Sequence, residues 1–253
     1  MPGLATPSRI TRLPSLAARH ARARRRARSF ERELRPAVNV ETIRLGDLRY
    51  GGYVLPAHGL GPDSVCYLAG VGTDITFDLL LIARFGCQGH AFDPVPAAAQ
   101  YARTAAAYEP RLSFHPLALW KCDEQLTFHA PREKGFVSHS AVNLHETAPA
   151  FHAPGRSVSS LMRELGHDRL DLLKVSAEGS EHAIIEGALR DGLRPGIMCV
   201  EFAQPGPLAP VRETMRRLEA SGYVLVGASV QPWNWKLTWA APAPDFEAVA
   251  AVA

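Results

Sequence analysis

Val65-Cys66-Tyr67-Leu68-Ala69-Gly70-Val71-Gly72-Thr73-Asp74 is an apolar run that ends in two closely spaced glycines. Thr76–Phe85 follows with Phe77, Leu80, Leu81 and Arg84 at helical spacing, and Gln88–Phe92 is a second short run of strand character. Strand, glycine turn, helix and strand form the unit of a parallel sheet, because parallel neighbours need a crossover between them. Glycines at 70 and 72 permit a tight turn and let a ligand approach the main chain, and a helix starting there offers unpaired N–H groups. A plain tight turn has the same pattern. Ile75 stands where a dinucleotide-binding GxGxxG loop has its third glycine, which disfavours a pyrophosphate ligand relative to a simpler nucleoside.

Outward from this unit the alternation continues. Before it, residues 40–56 read as a short extended segment with a glycine turn at Gly51–Gly52. After it, the pattern predicts a helix over Pro96–Tyr108, a strand over Leu112–Leu119 and a further, antiparallel strand over Gln125–His129. A loop from Gly135 to Pro154 precedes a helix at Val158–Leu165, a strand at Leu170–Ser176, a helix at Glu181–Leu189 and a strand at Ile197–Phe202. A helix over Pro210–Ser221, closed by Gly222, leads to two strands, Tyr223–Val230 and Lys236–Ala240. The expected fold is α/β, a mostly parallel sheet covered on both faces, with a C-terminal antiparallel hairpin at one edge.

The chain has 253 residues, 47% of them hydrophobic and 21% charged, an ordinary globular balance. No apolar run approaches the length of a membrane span. The net charge of +3 is uneven: residues 1–35 carry ten arginines against Glu31 and Glu33, so the rest of the chain is net negative. The expected organisation is a basic Arg/Ala-rich arm over 1–38 and a single domain over 39–253. The arm reads as a solvated, partly helical or disordered extension, as a contact for an anionic surface, or as a transit peptide. The mildly acidic body gives no case for specific nucleic-acid binding. Cys66, Cys87, Cys122 and Cys199 are widely spaced with no CxxC pair, which argues against a zinc-ribbon site, and three of them sit in or beside apolar strand-like runs, which reads as buried thiols in a reducing, cytoplasmic compartment. No HxxxH or compact His/Cys/carboxylate cluster suggests a metal site.

Polar residues at strand ends are the site candidates, since ligands of open α/β sheets bind outside the carboxyl ends of the strands. Asp93, before Pro94, lies about twenty residues after the glycine loop, where a carboxylate can accept from ribose hydroxyls or cap a turn. Lys174, Ser176 and Glu178 are two apart and would share a side if the backbone is extended, with Glu178 as a partner for a buried Lys174. Glu201 ends another apolar strand. His139 is a candidate base on the substrate loop. Trp233, Trp235 and Trp239 cluster around the closing hairpin, as core or as a substrate wall.

Arg49–Pro56, Cys66–Asp78, His90–Pro94 and Asp171-Leu-Leu-Lys-Val-Ser-Ala-Glu-Gly-Ser-Glu181 resemble the FkbM-type, methyltransferase-like branch of class I S-adenosylmethionine-dependent methyltransferases over about residues 45–205. The resemblance implies a Rossmann-like, doubly wound, seven-stranded sheet and S-adenosyl-L-methionine as cofactor. Gly70, Val71, Gly72 and Asp74 would meet its amino-acid part, Asp93 and Pro94 its ribose, and Ala118 and Leu119 its adenine. Lys174 and Glu178 would face the transfer site, with Glu178 first and His139 second as base for a small-molecule or glycan hydroxyl. Two positions depart from the pattern. Leu68 replaces an acidic residue before the glycine loop, and Ser176 replaces the aspartate of Lys-x-Asp-x-Glu-Gly. A binding protein that keeps the fold without the chemistry is the alternative these departures favour.

Overall fold

The computed structural model describes residues 16–37, 39–133, 135–203 and 207–241. The first fifteen residues of the arm and positions 242–253 of the expected domain lie outside them. In chain order, helix α1 (Leu16–Glu31) precedes a hairpin of β1 (Thr42–Leu45) and β2 (Tyr53–Pro56). Then come β3 (Val65–Ala69), α2 (Thr76–Phe85), β4 (Gln88–Phe92), α3 (Pro96–Ala105), β5 (Leu112–His115), β6 (Ala118–Trp120), β7 (Glu124–His129) and β8 (Pro149–Ser157). The second half supplies α4 (Val158–Leu165), β9 (Leu172–Val175), α5 (Glu181–Arg190), β10 (Ile197–Ala203), α6 (Leu208–Ala220), β11 (Val224–Val230) and β12 (Asn234–Ala240).

The central sheet has seven strands in the order β11-β12-β10-β9-β3-β4-β5. All neighbours are parallel except β12, which runs antiparallel to both β10 and β11. The closing hairpin therefore sits at an edge, with its second strand inserted inside its first. All five residues of β3 are buried. Cys66 and Leu68 enter the core beneath α2 and α3, whereas Val65, Tyr67 and Ala69 enter the core beneath α4 and α5. This is a Rossmann-like, doubly wound sheet, and burial on both faces explains why β3 reads as a continuous apolar run.

Three local expectations need correction. The strand expected over Leu112–Leu119 breaks at Pro116, which has no N–H for a ladder, and Leu117 N–H turns back to the His115 carbonyl (2.9 Å). Ala118–Trp120 then joins a separate three-stranded sheet, order β6-β8-β7. The end of the expected loop is strand β8: Pro149, Pro154 and Gly155 disguise it, but β7 pairs with it antiparallel along its length.

The third concerns the arm, which is helical over Leu16–Glu31 as one reading had it but carries a buried stripe as well as its solvated face. Ala23, Ala27, Phe30 and Leu34 recur at helical spacing and are buried, while Arg19, Arg22, Arg24, Arg25 and Arg28 stay exposed. Phe30 stacks on Trp235 with ring centroids 4.0 Å apart and 11° between planes. Burying one such ring contributes about 2–3 kcal/mol, which opposes the mutual repulsion of the exposed arginines. Arg212 pairs with Glu33 (2.8 Å), and Ala37 N–H donates to the Leu225 carbonyl (2.8 Å). Residues 16–37 thus dock on the C-terminal half of the sheet. Trp235 and Trp239 are core, whereas Trp233 stays at the surface.

Candidate functional site

The chain leaves β3 toward β4 on one side and leaves β9 toward β10 on the other, so the crevice between β3 and β9 is the switch point of the sheet. A cleft of about 550 Å³ opens there, in the range of small-molecule sites. It gathers Gly70, Val71, Gly72, Asp74, Asp93, Pro94, Ala118, Leu119, His139, Lys174 and Glu178, with Ser176 and Glu201, but none of the three hairpin tryptophans.

The two glycines serve different needs. Gly70 has φ +86°, and a Cβ built on it would lie 1.9 Å from the Ser176 carbonyl oxygen. Glycine is required there because the loops after β3 and β9 cross in contact. Gly72 has φ +53°, with Val137 Cγ2 nearest at 3.9 Å, so it faces open cleft.

Asp93 pins this loop. Its Oδ2 accepts from Val71 N–H (3.0 Å) and Gly72 N–H (2.9 Å), and its Oδ1 accepts from Val95 N–H (2.9 Å). The turn role weighed from sequence is therefore present, and Asp93 also lines the cleft. A carboxylate has about four acceptor sites, and three are taken, so room remains for one hydroxyl rather than two. Burial pushes the Asp93 carboxyl up, against the pull of the three N–H groups. Asp74 Oδ1 accepts from Thr76 N–H (2.9 Å) at the start of α2.

Lys174 does not pair with Glu178. Its Nζ donates to Asp78 Oδ1 (3.1 Å) and to the Gly70 carbonyl (3.2 Å), and both side chains are almost wholly buried. Asp78 was not identified from sequence, because its only local mark is an acidic residue in the first turn of α2. Burial raises its carboxyl despite the ammonium beside it. The pair therefore supports the glycine loop from below.

Glu178 leaves the line of β9 because it adopts φ +46°, costly for a non-glycine residue. The turn is held from above: buried Ser140 donates through Oγ to the Glu178 carbonyl (2.8 Å), and Val142 and Leu144 cover Gly179. Burial raises the Glu178 carboxyl, and Glu201 raises it further. Glu201 accepts from Ser176 Oγ (2.9 Å) and from Asn234 Nδ2 (2.8 Å). Ser176 thus lacks the pattern's carboxylate but holds one a strand away. The Asn234 contact was not legible locally, since it comes from the closing hairpin. His139 Nδ1 lies 2.9 Å from the Val137 carbonyl, which can only accept, so Nδ1 is the donor in this contact.

Glu181 closes the floor of the loop after β9. Its Oε1 accepts from Ala177 and Gly179 N–H groups (3.1 Å each), and burial pushes its carboxyl up to about 8. The native state then holds a proton that the unfolded chain, with an ordinary glutamate, releases above about pH 4.5. This contribution is fully present below that pH and lost as pH rises through 8. Glu181→Gln keeps the accepting oxygen and removes the ionisation. The expected result is a denaturation free energy near wild type at pH 5 and higher than wild type, by a few kcal/mol, at pH 9. Parallel pH profiles for the two proteins would refute it.

The model of the FkbM methyltransferase domain matches residues 70–225, from the first glycine of the loop to the edge strand. The chain belongs to the FkbM methyltransferase family. Members share this domain, and two similar curated proteins are the "Probable methyltransferase-like protein 24" of Homo sapiens and of Rattus norvegicus. They are 27% and 26% identical over 123 residues, which is 49% of this chain. The match spans only 27% and 28% of those longer proteins. Among solved structures, a fibrillarin/Nop5p complex covers 72% of this FkbM-family chain and 75% of its own, with TM-score 0.47 and 8% identity. Aeropyrum pernix fibrillarin with natively bound S-adenosyl-L-methionine covers 73% and 68%, with TM-score 0.42 and 12% identity. These structural likenesses are too distant to bear on activity. Among the described residues, no helix is long and apolar enough to cross a membrane, and no group of three or more His, Cys, Asp or Glu is placed to hold a metal ion.

Proposed function

We propose that this FkbM-family chain is an S-adenosyl-L-methionine-dependent methyltransferase acting on a hydroxyl of a small-molecule or glycan acceptor. The observation that carries the reading is the charge of the cleft. Asp74, Asp93, Glu178 and Glu201 line it, while of its two lining cations Lys174 is neutralised by Asp78 beneath the floor and Arg49 is paired with Asp47. Such a cleft suits a cationic sulfonium and repels a pyrophosphate.

The residues present fit the cofactor. A Cβ at Gly72 would project into the cleft, Asp93 has an acceptor site left for a ribose hydroxyl, and Ala118 and Leu119 offer an apolar wall for adenine. When bound, the cofactor supplies a methyl group on sulfur for in-line displacement, the sulfur leaving as a neutral thioether. The chain aligns the reactants, worth about 7–11 kcal/mol at best, and Glu178 takes the acceptor's hydroxyl proton. Its raised carboxyl suits it as a base, because a proton acceptor works best with a pKa near the working pH. Glu178→Gln should lower kcat about 10²–10⁴-fold and leave S-adenosylhomocysteine affinity unchanged by calorimetry. Full activity in the variant would remove Glu178 from the role and leave His139 next.

One observation favours the second reading, a binding protein without turnover: Leu68 lies wholly inside the core and supplies no carboxylate to the cleft. Stabilisation by S-adenosyl-L-methionine with no S-adenosylhomocysteine formed on any acceptor would decide for it. The exposed arginines of α1 support a contact with an anionic surface, and four free cysteines support a reducing, cytoplasmic compartment.

A further inference from the structure

A second cavity, of about 620 Å³, adjoins the cleft. The two share Phe136, Ser138, Glu178, Glu201 and Asn234, so they meet at the two carboxylates. The far end is built by Arg19 and His20 from α1, by Arg132 and Glu133 from the segment after β7, and by Trp233. His20 packs edge-on against Trp233, with centroids 5.3 Å apart and 81° between planes. Arg132 donates one Nη2 hydrogen bond to the His145 carbonyl (2.8 Å), the one side-chain bond it makes among the described residues. The cavity is therefore graded, with carboxylates where it meets the cleft and two guanidiniums against the single carboxylate of Glu133 at the other end.

We propose that this cavity is the acceptor site, that the docked arm helix is one of its walls, and that the acceptor carries an anionic group, phosphate or carboxylate, seated between Arg19 and Arg132. Guanidiniums form charge-assisted, often bidentate, hydrogen bonds to such groups. An anion held at that end orients the rest of the molecule along Trp233 with its hydroxyl toward Glu178. Binding energy from a non-reacting part of the acceptor thus aligns the reacting oxygen. The wall is preorganised, because the Phe30–Trp235 stack and the Arg212–Glu33 pair hold α1 independently of any ligand. The hydroxyl end of the proposal rests on the methyl-transfer reading; the anion end does not.

The test uses the full chain and the indole N–H resonance of Trp233, assigned with Trp233→Phe. Phenyl phosphate, phenylacetate and uncharged benzyl alcohol are titrated, with and without saturating S-adenosylhomocysteine. The expected result is a saturable Trp233 shift with at least one anion, at least tenfold tighter than with benzyl alcohol. The two anions separate phosphate from carboxylate. The Arg19→Gln/Arg132→Gln double variant should lose tenfold or more for the anion and keep its affinity for S-adenosylhomocysteine. Phe30→Ala, which undocks the wall, should lose anion affinity in the same way. No saturable shift with either anion, equal affinity for benzyl alcohol, or unchanged affinity in the double variant would overturn the proposal. Anion binding without any S-adenosylhomocysteine binding would support the site and count against the cofactor reading alone.

Discussion

Gly70→Ala is expected to yield a protein that fails to reach the native fold, or reaches it with a loss above about 4 kcal/mol. The new Cβ would lie 1.9 Å from the Ser176 carbonyl oxygen and 2.9 Å from its carbon, both backbone atoms of a loop anchored at the Ser176 N–H to Ala69. Neither loop can yield alone, since β3 and β9 are hydrogen-bonded neighbours immediately before them. Gly72→Ala two residues away is the control. It shares a positive φ and costs about 1–2 kcal/mol for the left-handed backbone, but nothing stands within 3.9 Å of its Cβ. That methyl enters the cleft, so Gly72→Ala should fold and bind S-adenosylhomocysteine about tenfold more weakly. Urea denaturation and calorimetry on the pair check both halves. Equal stability of the two variants would mean that the loops are not in contact in solution.

Asp93→Ala should have a double effect. Val71, Gly72 and Val95 N–H groups would lose their acceptor, and buried donors left unpaired cost about 1–3 kcal/mol each. Relaxation and water entry will recover part of that, so a stability loss of about 3 kcal/mol is the working figure. S-adenosylhomocysteine affinity should fall at least a hundredfold, because the proposed ribose contact and the shape of the glycine loop would be lost together. Asp93→Asn separates the two, since its single carbonyl oxygen can restore part of the loop contacts without the charge. It should regain stability over the alanine variant while staying weak toward the ligand. Unchanged affinity in Asp93→Ala would exclude the ribose role, and unchanged stability would exclude the pinning role.

Much of the site was legible because its signals are local. Strand, glycine loop and helix from Val65 to Phe85 carry their own periodicity, and Asp93 is placed by the end of the next strand. The glycine-loop and strand-end candidates accordingly converge on one cleft, whereas the hairpin tryptophans do not line it. The partners were less legible. Asp78, which neutralises Lys174, is 96 positions away, and Asn234, which holds Glu201, is 33 away. Strand β8 was hidden because two prolines and a glycine outweigh its propensity until β7 supplies a ladder. The stripe Ala23, Ala27, Phe30 and Leu34 was present in the arm, but the surface that receives Phe30 is Trp235, at the other end of the chain.

The amino-acid sequence by itself determined the order of strands and helices, the parallel character of the sheet and the loop that marks its mouth. Each of these is encoded in neighbours a few residues apart. The tertiary structure alone decided which charges cancel, which remain to face a ligand, and that a basic extension becomes the wall of a cavity. Coulomb energy and burial depend on distance in space, and the parallel pairing of β3 with β9 brings together groups about a hundred residues apart along the chain.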